Sequence, residues 1–117
     1  MKKIIYAMGM VAFLYSCGDN ASGNAAGNAA DIEKGFALIS NNDCVTCHRP
    51  DEVLTGPSYT AIASKYAGLS DTIVSHLADK IVSGGSGVWG QIPMVPHTGI
   101  TKEDAGLMAK YILSQKK

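Results

Sequence analysis

Long apolar stretches, charge of one sign and strand-like alternation are all missing from this chain, and each absence excludes a class of protein. The longest mostly apolar run covers residues 4–15, well short of the roughly 20 residues that cross a bilayer as a helix. Ten Lys and Arg face ten Asp and Glu, a formal net charge of +0. From Asp31 onward nine acidic residues face eight basic ones. With no basic stripe, nucleic-acid binding is not expected. No run of period-two alternation supplies the strands of a βαβ unit. The 117 residues leave room for one domain. Cysteine is scarce, and what the three cysteines do decides the rest: Cys17, Cys44 and Cys47.

Two of them stand in Cys44-Val45-Thr46-Cys47-His48. Cys-x-x-Cys-His is the attachment signature of c-type haem. Each thiol can add across one vinyl group of a single porphyrin, and the adjacent imidazole is then held against the iron. Two other readings are weaker. Structural zinc usually takes four protein ligands. Beyond the motif the chain offers only Cys17, His76 and His97, with no second closely spaced pair. A thioredoxin-like redox pair sits near a βαβ pattern, which is lacking. Haem c, one and covalent, is the expected cofactor.

The N-terminus reads as an export segment. Lys2-Lys3 precedes the apolar run, as in a secretory signal peptide, expected over 1–16. Leu14-Tyr15-Ser16-Cys17 then resembles a bacterial lipobox, with a bulky tyrosine at the position two before the cysteine. Cleavage there makes Cys17 a lipidated N-terminus. The alternative, cleavage after a small residue such as Gly23, discards Cys17. The following GDNASGNAAGNAA (18–30) is small, polar and without apolar period; with Cys17 it forms an expected tether over 17–30. The folded domain is expected over 31–117. With Cys44 and Cys47 on haem and Cys17 on lipid, no pair remains for a disulfide.

The domain reads as all-α, with about four helices. Ile32, Phe36 and Ile39 recur at helical spacing before the motif. A second helix spans 58–66, after Pro57, with Tyr59, Ile62, Ala63 and Tyr66 on one stripe and Gly68 as a stop. Ser70 is the expected cap of a third, carrying Ile73, Val74, Leu77 and Ile81 and ending at Gly84-Gly85. Thr101 and Asp104 form a capping-box pattern for a last helix with Leu107, Met108, Tyr111 and Ile112. Between the last two, SGGSGVWGQIPMVPHTG is too rich in Gly and Pro for a long regular element.

From Asp31 to Gln115 the order of these features resembles the small bacterial class I c-type cytochromes, of the cytochrome c-551/c-552 kind. The shared features are a first helix with Gly35 and Ile39, then CVTCH, TGPSY (55–59), GVWGQIPMVPH (87–97) and LMAKYILSQK (107–116). Gln91 and Val95 depart, standing where prolines are frequent. The resemblance implies a class I cytochrome c fold, with the helices around one covalently bound haem. His48 is then the proximal ligand through Nε2, with its other ring nitrogen donating to the Pro57 carbonyl. Pro57 also serves as a plain helix-start proline. Met94, flanked by Pro93 and Pro96, is the distal ligand. Of the other methionines, Met1, Met8 and Met10 leave with the signal peptide, and Met108 packs with Tyr111 against Gly35 and Ile39. Trp89 donates its indole N–H to a haem propionate or fills core space. Val45, Ile92, Val95 and Pro96 form an apolar rim at the haem edge or pack the methionine loop. His76 and His97 are rival ligands but are expected to be solvated. Tyr59, Tyr66 and Phe36 are expected in the core.

Protein ligands on both faces of the iron leave no open position for substrate. The expected function is a one-electron carrier, not an enzyme, in a respiratory or periplasmic chain. The alternatives are a haem c subunit of a stable membrane oxidoreductase complex, or a haem sensor or peroxidase in which Met94 dissociates. Expected partners are respiratory complexes, oxidases or periplasmic oxidoreductases. The expected form is a monomer, lipid-anchored in a bacterial envelope and facing the extracytoplasmic side.

Overall fold

A computed structural model describes residues 27–117. The expected signal segment and residues 17–26 of the expected tether, Cys17 included, lie outside the described residues. Four helices carry the domain: α1 (Ala29–Ser40), α2 (Tyr59–Lys65), α3 (Thr72–Ser83) and α4 (Lys102–Ser114). A 3-10 turn, Asp43–Thr46, holds the first cysteine of the motif. A short antiparallel ribbon, β1 (Gly85–Gly87) and β2 (Gly90–Met94), lies between α3 and α4. The fold is the expected all-α arrangement with this one small hairpin added. Val88 and Trp89 form the hairpin tip, between Gly87 and Gly90. All of β1 and most of β2 are exposed, so no alternating apolar pattern marks the ribbon in sequence.

Each helix boundary has a local cause. Helix α1 opens at Ala29 rather than Asp31, because the Asn28 side chain caps it by accepting the Asp31 N–H at 2.9 Å. Ser58 caps α2 by accepting the Ala61 N–H. Thr101 caps α4 by accepting the Asp104 N–H at 3.1 Å. The expected cap at Ser70 is not made. Asp71 takes the cap position of α3 already in helical φ and ψ, with no side-chain cap bond, and the Ser70 hydroxyl pairs with Thr72 at 2.8 Å instead.

The terminal helices cross face to face. A Cβ on Gly35 would strike the Leu107 carbonyl and lie 2.9 Å from Tyr111 Cβ. The backbones of α1 and α4 therefore approach as closely as only glycine permits. Phe36 and Tyr111 pack tilted with centroids 5.3 Å apart, and Lys110 Nζ bonds Asp31 at 2.6 Å. Ile39, Ile62, Ile81, Met108 and Ile112 form the buried core, with Cys44 and Met94 packed on its edge. Phe36 is the exception among the expected core aromatics. It is half exposed, because it covers Tyr111 from outside rather than filling the interior.

Candidate functional site

The segment after the motif folds back on itself and positions His48. Gly56 N–H donates to Cys47 O at 2.8 Å, and Tyr59 N–H donates to Arg49 O at 3.0 Å. These two bonds bracket Pro57 and lay it beside the imidazole. Proline has no N–H, but its carbonyl is free, and His48 Nδ1 donates to it at 2.7 Å. That bond fixes the ring's tautomer and leaves Nε2 as the lone-pair nitrogen. The Tyr59 ring stacks on the imidazole, centroids 5.8 Å apart and planes 23° apart.

Gly56 is a functional position that the sequence reading passed over. A Cβ there would lie 2.6 Å from His48 Cε1 and 3.0 Å from Nδ1. The imidazole occupies the space a side chain would need. The available signal was the Gly-Pro pair itself, quoted only within TGPSY (55–59).

Cys44 and Cys47 are both half-buried, and neither is in a disulfide. Burial pushes the Cys44 thiol above its ordinary pKa, with its own backbone hydrogen bond opposing and Asp43 adding to the rise.

Across from the motif, the hairpin delivers Met94 at the end of β2. Its backbone lies against the end of α3 at Gly84. There φ is +67° and ψ is −154°, a conformation essentially reserved for glycine. A Cβ at Gly84 would strike the Met94 carbonyl and lie 2.9 Å from Pro96 N.

Cys44, Cys47, His48 and Pro57 share one cavity of about 230 Å³ with Trp89, Ile92, Pro93 and Met94. Every expected site residue among the described residues thus meets there. A single water needs only ~15 Å³, so a void of this size in so small a domain is a ligand site rather than a packing defect. Its floor is apolar, built by Ile39, Ile62, Leu77, Ile81 and Met108. Two buried polar atoms of lining residues, Tyr59 Oη and His97 Nδ1, have no partner among the described residues. The Tyr59 phenol is held well above its ordinary pKa, by burial first and then by Cys44 and Tyr111. Two thiols, an imidazole with its Nδ1 engaged, a thioether and apolar walls form a donor set that fits haem c. Among the described residues, no three His, Cys, Asp or Glu side chains gather to hold a bare metal ion.

The remaining residues fall as follows. Trp89 sits at the hairpin tip, 46% exposed, with Lys65 Nζ 5.5 Å from its ring centroid, a cation–π arrangement. Val45, Ile92 and Val95 are all exposed, and of the three Ile92 and Val95 line the cavity. Tyr59 and Ile62 serve the core and the cavity wall at once. The expectation of solvated histidines fails at His97. Its side chain is only 15% exposed, and Nε2 meets Asp43 Oδ1 at 3.0 Å. The loop turns His97 inward because its backbone N–H donates to Ile81 O and Val82 O at the end of α3. His76 is exposed on α3 and packs edge-on against Tyr66, centroids 6.3 Å apart.

Comparison with known proteins agrees with this geometry. The family model "Cytochrome c" matches residues 32–116. Cytochrome c-552 of Nitrosomonas europaea is 43% identical over 79 residues, 68% of this chain and 76% of that protein. Cytochrome c-551 of Pseudomonas aeruginosa is 38% identical over 96 residues, 82% of this chain and 90% of that one. The crystal structure of the wild-type Nitrosomonas europaea cytochrome c552 superimposes with a TM-score of 0.64 at 42% identity, covering 69% of this chain and 99% of that one.

Proposed function

The chain belongs to the cytochrome c family, and from that premise we propose that Cys44 and Cys47 carry its haem through thioether bonds, with His48 and Met94 as the axial ligands. The protein is a one-electron carrier with one covalently bound haem c, and not an enzyme. One observation supports the assignment of residues above the others. Cys44, Cys47, His48 and Met94 converge on a single apolar cavity from two segments far apart in sequence.

The bound haem supplies the one-electron iron couple. The chain's part is to hold ligands still and exclude water. Cys44 and Cys47 fix the position of the ring edge. His48 is oriented by Pro57 O and confined between Gly56 and Tyr59. The hydrogen bond at Nδ1 makes Nε2 a stronger donor. Met94 offers a neutral, soft thioether, which raises the potential of the couple. The apolar floor keeps the surroundings nearly unchanged when the charge on the iron changes. Trp89, with Lys65 beside it, places an N–H donor and a positive charge at the cavity mouth, where an acidic edge of the cofactor would be received.

Electron carriers act on redox partner proteins. The partners proposed for this one are membrane respiratory complexes, oxidases or periplasmic oxidoreductases. Among the described residues no helix is long and apolar enough to cross a membrane. Lipid on Cys17 is the proposed anchor, facing the extracytoplasmic side, and residues 18–27 the tether, since Asn28 already caps α1. Denaturing gels test the attachment: wild-type protein keeps haem colour, and the double variant Cys44→Ala/Cys47→Ala yields little holoprotein. Haem that acid-acetone extracts freely refutes the thioether assignment. For the anchor, Cys17→Ser moves the protein from membrane to soluble fractions with an unchanged spectrum. A soluble wild-type protein whose N-terminus lies beyond residue 17 refutes the lipid.

A further inference from the structure

The loop that carries Met94 is seated very differently on its two sides. Toward α3 it is fixed by backbone. His97 N–H donates to Ile81 O at 3.2 Å and Val82 O at 3.1 Å, and Gly84 receives the Met94–Pro96 backbone in close contact. Toward the attachment segment it is held by one side-chain bond, His97 Nε2 to Asp43 Oδ1 at 3.0 Å, between residues 54 apart in sequence. Among the described residues no other hydrogen bond joins 90–98 to 41–48.

We propose that the Asp43–His97 bond is a latch that closes the Met94 loop onto the attachment segment, making His97 a positioning residue for the sixth ligand. The inference rests on Met94 being that ligand. Its placement is what gives the bond leverage. Asp43 immediately precedes Cys44, whose position covalent attachment fixes, and His97 follows Met94 by one turn of loop. The bond therefore spans from one fixed edge of the cavity to the movable ligand. A carboxylate can only accept, so Nε2 carries the proton and the roles of the two groups are set. The histidine end is largely buried while the carboxylate is 70% exposed, so the bond is partly sheltered from water and retains a moderate strength. Breaking it leaves the helices and the α3 seat of the loop intact. What it changes is how often Met94 leaves.

The test uses ferric holoprotein and exogenous imidazole at saturating concentration, following the loss of the methionine-to-iron charge-transfer band. At saturation the rate reports departure of Met94. Removing a partly sheltered hydrogen bond should accelerate it about fivefold in His97→Ala and again in Asp43→Ala. The double variant should be no faster than either single one, because both remove the same bond. His97→Gln places an amide N–H near the lost Nε2 and should restore the wild-type rate. Asp43→Asn, which keeps the shape and weakens the acceptor, should show a smaller acceleration and serves if alanine beside Cys44 impairs attachment. Unchanged rates in these variants, or a double variant showing the product of the single effects, overturn the latch while leaving Met94 as ligand. A wild-type protein lacking the band overturns the ligand assignment and the latch with it.

Discussion

Replacing Gly56 by alanine puts one methyl carbon into the space of the His48 ring, and the consequences can be worked from distances. The new Cβ would lie 2.6 Å from Cε1, 3.0 Å from Nδ1 and 3.2 Å from Nε2. Carbon atoms rest at about 3.5–4.0 Å, so the pair must separate by roughly 1 Å. The glycine cannot retreat easily, because its N–H is held by Cys47 O at 2.8 Å. The ring must move, and Tyr59 is stacked on it. A displacement of that size stretches the 2.7 Å Nδ1–Pro57 bond beyond useful length, which ends near ~3.2 Å. Overpacking costs about 1–3 kcal/mol and the lost bond about 1 kcal/mol, together about 2–4 kcal/mol. At ~4–8 °C per kcal/mol for a domain of this size, the thermal midpoint of the holoprotein should fall by roughly 10 °C or more. The potential should rise as well, since an imidazole without its Nδ1 acceptor donates less to the iron and favours the ferrous state. Calorimetry and redox titration measure both. Gly99→Ala is the control, because a Cβ there meets nothing within 4 Å; it should stay within ~0.5 kcal/mol of wild type. A Gly56→Ala protein with wild-type midpoint and potential would refute the reasoning, since the ring would then have room the distances deny it.

Three further outcomes are expected. Met94→Ala should abolish the ferric methionine charge-transfer band and lower the potential. Met108→Ala, at a side chain 1% exposed, should keep the band and cost about 2–5 kcal/mol in urea unfolding. The same glycine-to-alanine change should have opposite signs at two helix positions. Gly35→Ala meets the Leu107 backbone and should destabilise, whereas Gly106→Ala, inside α4 with nothing within 4 Å, should stabilise by about 0.5–1 kcal/mol. Val95→Lys, 61% exposed beside Ile92 at the cavity mouth, should slow second-order electron transfer to the physiological partner with little change in potential. Stopped-flow rates that are unaltered across ionic strengths would place the docking face elsewhere.

Much of this was legible in one dimension because the chemistry is local. Cys44, Cys47 and His48 are consecutive enough to be recognised without any fold, and the cap Thr101 announces a helix within four residues of itself. The hairpin was not legible, since its strands are short, glycine-rich and exposed, and only pairing across the Val88-Trp89 turn defines them. Ser70 misled because its backbone already leads into helical geometry, leaving its hydroxyl to Thr72. His97 misled because its exposure depends on α3, whose carbonyls turn the residue inward. Phe36 misled because helical spacing names a face but not what covers it.

By itself the sequence determined the cofactor class, the count of helices and His48 as a candidate ligand, because motif spacing and periodicity are properties of neighbouring residues; Met94 came from the family resemblance. The tertiary structure alone decided which groups stand around those ligands. Gly56 beneath His48, Gly84 behind Met94, Gly35 under α4 and Asp43 facing His97 are meetings of segments apart in sequence. The physical reason is that steric exclusion and hydrogen bonding act through space over a few ångströms. A chain shows such distances only after it has folded.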